Sequence, residues 1–153
     1  MLTEIKSEIK NIMNSIDDVY NVYTEKKYIK DAENFLDLYK AENILGEKIF
    51  TAWFITRRTT AEKYFSSKEN IRDHSISISG YLGISEGINS YKKFENMLED
   101  ICAAFRNSVN LNNRCLENSP VQIDKIEEKY LGSILCHYTE LELICTEKIE
   151  KEI

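Results

Sequence analysis

Two histidines, four cysteines and a few charged residues set among apolar ones are the groups in this sequence best placed to do chemistry. At the roughly 100° per residue of a helix, Arg57 falls within the arc of Phe50, Trp53, Ala61 and Tyr64. On the same geometry Glu95, Glu127 and His137 lie on or near the apolar stripes of their own segments. An unpaired charge in a core is costly, so these four residues are expected to satisfy one another, with Arg57 bonded to Glu95 or Glu127. Such a cluster would be a structural ion pair that fixes packing. If instead it lined an open pocket, Glu95, Glu127 and His137 would provide the acids and base of a hydrolase.

Other chemistries find no support in the spacing. Carboxylate-bridged iron in a bundle needs Glu three residues before His, and Ile71 and Ile134 hold those places before His74 and His137. Zinc needs clustered ligands, and Cys136 and His137 would point about 100° apart on one helix. No metal or cofactor is therefore expected. The glycines at 80, 83 and 87 match neither a phosphate loop nor a dinucleotide fingerprint. Arg72 and His74 are too close in sequence for the Arg and His spacing of helical toxin ribonucleases.

The elements that must hold these residues follow from composition and periodicity. A chain of 153 residues, 42% hydrophobic and 30% charged, can bury one core unaided, so a single domain over 1–153 is expected. Only five Gly and one Pro occur, few for a sandwich or barrel of many short strands. That scarcity predicts an all-α fold, a compact antiparallel bundle of about five helices. Leu2, Ile5, Ile9, Ile12, Met13, Ile16, Val19, Tyr20 and Tyr23 mark the first, and Ile29 to Leu45, ended by Gly46, the second. The third runs over 47–65. A fourth, from about Ser85, carries Ile88, Tyr91, Phe94, Leu98, Ile101 and Phe105. Ser119-Pro120-Val121-Gln122 reads as the capped start of a fifth, whose stripe runs from Ile123 to Ile149. Residues 66–87 form the one long irregular loop in this scheme.

Charge narrows the expected partner. The net charge is −6, and residues 119–153 hold most of it, with 4 Lys or Arg against 8 Asp or Glu. An acidic surface repels nucleic acid and anionic membrane, and the short basic clusters Lys26-Lys27-Lys30, Arg57-Arg58 and Lys92-Lys93 are offset by neighbouring acids. The charged N-terminus carries no signal-peptide pattern, and the cysteines form no C-x-x-C pair, which fits reduced thiols in a cytoplasmic protein. These features point to a non-enzymatic domain that occupies a basic protein partner, as a toxin immunity protein or antitoxin does. Its expected contact face joins Asp124, Glu128, Glu140, Glu142 and Glu147 to the loop residues His74 and Tyr81. A helical adaptor or a homodimer pairing through exposed Tyr and Leu is the alternative, and the hydrolase is a second.

Overall fold

Ser75-Ile76-Ser77-Ile78-Ser79 alternates polar and apolar residues without a break, which is the period of a half-buried strand. The computed structural model, which describes residues 2–25, 40–42, 48–85, 89–132 and 134–151, builds most of the chain on that period. Its elements are α1 (Leu2–Asn14), β1 (Val22–Tyr23), β2 (Lys40–Glu42), β3 (Lys48–Tyr64), β4 (Glu69–Gly83), α2 (Ser90–Arg106), β5 (Glu117–Asn118), β6 (Gln122–Leu131) and β7 (Ile134–Glu150).

The expected all-α bundle is thus overturned: the protein is mainly β-sheet, with two helices among the described residues. The third expected helix is β3, the expected loop at 66–87 is largely β4, and the fifth is the β6–β7 hairpin. The second expected helix lies mostly outside the described residues, although 40–42 within it is strand. The error has physical causes. Four strands of 10 to 17 residues need few turns, so few glycines and prolines suffice. Residues four apart also share a face in a strand as they do in a helix, so Leu141, Cys145 and Ile149 of β7 fit both periods.

β4 forms the centre of the sheet, antiparallel to β3 on one side and to β7 on the other. The far edge of β3 takes β1 in parallel and β2 in antiparallel pairing, and the far edge of β7 takes β5 and then β6. Ser119-Pro120, read above as a helix start, is the break between those last two strands. Proline cannot donate to a ladder and belongs at such an edge. The Ser119 hydroxyl keeps the pairing continuous by accepting the Ile144 N–H at 2.9 Å.

Both helices contribute to the core cluster on one face of the sheet. α1 buries Ile5, Ile9 and Met13, and α2 buries Phe94, Met97, Leu98, Ile101 and Phe105, the three-and-four spacing of an amphipathic helix. The strands meet them with Trp53 and Ile55, with Ile76, Ile78 and Leu82, and with Leu141, Leu143 and Cys145. The asparagine-rich stretch after α2 takes left-handed backbone at Leu111, Asn112 and Asn113. That turn returns the chain to β7 and seats Leu111 in the core.

Candidate functional site

Strand register places each residue singled out above. Pairing puts His74 opposite Cys145, Ile76 opposite Leu143 and Leu82 opposite His137, all on the face covered by the helices. Ser75, Ser77, Ser79, Tyr81, Tyr138, Glu140 and Glu142 take the other face. The seven expected contact residues therefore divide between the two sides of the sheet.

His74 and Glu147 are buried together. His74 Nε2 lies 2.9 Å from Glu147 Oε1, and its Nδ1 lies 2.9 Å from Thr60 Oγ1. Arg72 stands beside them, 3.9 Å from Glu147 and 3.3 Å from Glu62. Burial pushes the Glu147 carboxyl up, but the His74 hydrogen bond and charge pull it down, and the net direction is below the usual carboxylate range. This pair binds β3, β4 and β7 to one another from within. It does not present a surface to a partner.

The other acids stand at the β6–β7 edge. Lys125 pairs with Glu140 and Gln122 with Glu142 across the ladder, and the Arg58 guanidinium lies 3.4 Å from Glu142 and 3.6 Å from Asp124. Ser75 donates its hydroxyl to Glu142 at 3.1 Å, and the Tyr138 hydroxyl donates to Glu140 at 2.6 Å. That last bond, ahead of the nearby cations, holds the Glu140 carboxyl below its ordinary range even though burial opposes it. Tyr81 packs on Tyr138 at 4.8 Å between ring centres, and Lys129 sits over the Tyr138 ring at 4.5 Å.

β6 itself is the most accessible long strand. Among the described residues it pairs only with β7, and it is exposed at every position from Asp124 to Tyr130. Ile126 is 53% and Tyr130 64% exposed, large values for apolar side chains on a strand. Register puts Ile126 and Glu128 on the helix side and Lys125, Glu127 and Lys129 on the other.

No family model and no curated protein matches this sequence. Function has to be read from the chain's own side chains.

Beside β6, where Glu128 pairs with His137, a cleft of about 240 Å³ opens between the end of β4 and the start of α2, lined by Ile84, Ser85, Asn89, Ser90, Tyr91 and His137. Ser90, which the sequence gave no reason to notice, is the hub of this cleft. Its Oγ accepts the Ser85 N–H at 2.8 Å and lies 2.9 Å from His137 Nε2, so the hydroxyl proton can go to the imidazole. Phe94 stacks on the imidazole at 5.6 Å. A serine 3% exposed, with its oxygen already engaged by a backbone amide, ties the loop to the helix start.

Of the four residues expected to form a polar core, only His137 is buried, whereas Arg57, Glu95 and Glu127 are exposed on β3, α2 and β6. Glu95 pushes the hydroxyl pKa of Tyr91, on the same helix, above its ordinary value. A wider groove of about 410 Å³ beside α2 carries charges of both signs, with Lys93 3.5 Å from Asp18. Among the described residues no group of three or more His, Cys, Asp or Glu is placed to hold a metal ion. No helix there is long and apolar enough to cross a membrane.

The His137 environment makes a testable demand on pH. Burial lowers its pKa from 6.5, and the Glu128 charge only partly opposes that. Between the depressed folded value and the ordinary one, the unfolded chain takes up a proton that the folded chain does not. Stability from this site is therefore full above 6.5 and falls as pH drops through the interval below it. Urea unfolding of His137→Gln should show a flatter dependence over that interval than the parent. Parallel curves would remove His137 as the source.

Proposed function

We propose that this protein is a non-enzymatic, cytoplasmic binding domain that engages a basic protein partner through the edge of its sheet at β6. The observation that carries the reading is the ten-residue edge strand, exposed almost throughout and bearing Asp124, Glu127, Glu128, Ile126 and Tyr130. An exposed edge has main-chain N–H and C=O groups that an extended segment of another chain can pair with, while alternate side chains set specificity. Ile126 and Tyr130 supply apolar contact, Glu127 and Glu128 the charge, and the His137 cleft receives a side chain on the helix side. The net charge of −6 favours a cationic partner and speeds its approach.

Affinity capture from cells that produce the protein, at low and then moderate salt, tests this directly. The expected result is one basic protein that elutes as salt rises and is not retained by the Glu127→Lys/Glu128→Lys double variant. A loss of at least about tenfold in affinity is expected, since paired interface charges are commonly worth more than 1.4 kcal/mol. Both carboxylates are exposed, so the variant keeps its fold. Equal retention of the same protein by the variant, or recovery of this chain alone, would contradict the reading.

A further inference from the structure

The pattern of β6 is complementary to itself. The register to β7 shifts at Asp124, and from Lys125 to Leu131 the strand then runs without a break. Its outer edge turns main-chain N–H and C=O groups away from β7, its one partner among the described residues. Antiparallel pairing of two copies about a two-fold axis normal to the sheet keeps every residue on its own face. Only residues an even number of positions apart can then stand opposite each other. Centring the pair on Glu128 sets Ile126 against Tyr130 twice and Glu127 against Lys129 twice, with Lys125 against Leu131 at the ends. Ile126 and Tyr130, both well exposed, meet on the helix side. Glu127 and Lys129 meet on the other side, where the Lys129 ammonium rests over the Tyr138 ring at 4.5 Å. Apolar pairs and opposite charges directly across a ladder both stabilise it.

Neighbouring registers are worse. Centring on Glu127 brings Lys125 against Lys129 and Glu127 against its own copy, and centring on Ile126 carries the pairing into the irregularity at Asp124. Centring on Lys129 sets that lysine against itself and leaves Lys125 and Ile126 unpaired. The favoured register has one adverse pair, Glu128 against the second Glu128. Like charges directly opposite destabilise a ladder, and a charge on an edge strand guards against edge-to-edge association.

We propose that a second copy of this chain competes for the β6 edge: two copies pair antiparallel about Glu128, and the facing Glu128 charges keep that dimer weak. The edge is therefore uncovered in dilute neutral solution and open to the basic partner. In the dimer the two sheets join into one, with α1 and α2 of both copies on the same side. A two-fold pairing of one edge with itself closes on two copies. Self-pairing needs no other protein, so it stands or falls independently of the capture of a partner.

Sedimentation of the purified full-length protein over a concentration series at neutral pH tests this. Glu128→Gln removes both facing charges and should tighten self-association roughly fivefold, the upper end for one cross-strand pair. Adding Glu127→Lys to that variant turns two attractive pairs into two repulsive ones and should return it to monomer. Adding Lys129→Glu as well restores the attraction with the signs exchanged, and the dimer should reappear. Residues 127, 128 and 129 are all exposed, so the three variants keep the fold. The two occupants respond with opposite signs to Glu128→Gln, which should tighten the dimer and loosen the complex with a basic partner. The proposal is overturned if Glu128→Gln associates no more than the parent protein. It also fails if Glu127→Lys leaves the dimer intact, or if the exchanged charges do not recover it.

Discussion

Alanine at Gly80 should destabilise the protein by about 3 kcal/mol or more, the upper end of what overpacking a filled core costs. Gly80 stands opposite Trp53 in the β3–β4 ladder, and the indole lies directly over the glycine, so an added Cβ would overlap the six-membered part of the ring. The ring has little room to retreat. It is fully buried and stacked against Phe94 at 6.4 Å, and Phe94 in turn rests on His137. The strain should therefore pass from the sheet into α2 and the cleft. Gly83→Ala is the internal control, because its Cβ would meet Phe50 Cβ at 3.2 Å, a contact a small shift can relieve. Urea unfolding of the two variants should separate them clearly. Equal and small losses would mean that the indole does not occupy the space above Gly80.

Glu147→Ala should cost about 1–3 kcal/mol at neutral pH, the range for leaving a buried hydrogen-bonding group without its partner. The substitution strands His74, which is fully buried, and leaves Arg72 with Glu62 as its one remaining carboxylate partner among the described residues. Glu147→Gln should cost less, because an amide oxygen can still accept from His74 Nε2. The pH dependence has a definite sign. A carboxyl held below its ordinary value of 4.5 contributes stability that is present above that value and disappears as pH falls through the folded value. The gap between parent and Glu147→Gln should therefore narrow on acidification through that interval. A gap that stays constant with pH would show that the loss is one of packing alone.

What the sequence disclosed depended on which period each segment obeyed. The stripes of α1 and α2 were legible because buried residues three and four apart, such as Phe94, Met97, Leu98 and Ile101, cannot share one face of a strand. β4 was equally plain in its Ser-Ile alternation, but the glycines at 80 and 83 made it look like a loop. Gly80 is there to admit the Trp53 ring, a long-range requirement that no local pattern announces. In β7 the stripe Ile134, Tyr138, Leu141, Cys145 contains one step of three, and at that step the strand changes face. Tyr138 joins Tyr81 on the side away from the helices, while Leu141 enters the core.

The candidate site was legible only in part. Glu140 and Glu142 share a face, and Asp124 joins Glu142 through Arg58. Glu128 and Glu147 fall on the opposite side because a strand's period of two separates residues that a helix of 3.6 would group. Ser90 and Thr60 went unseen for a common reason. Each meets its partner across 14 or more positions, Thr60 through sheet register and Ser90 through the packing of α2 against the sheet.

Hydrogen exchange on the complex with the captured basic partner tests the central proposal most directly. In the free protein the outward amides of residues 122–131 should exchange rapidly, as on any uncovered edge. In the complex, alternate amides of that strand should become protected, with little change in β3 and β4. Protection confined to another surface, with 122–131 exchanging as fast as before, would contradict docking at the β6 edge.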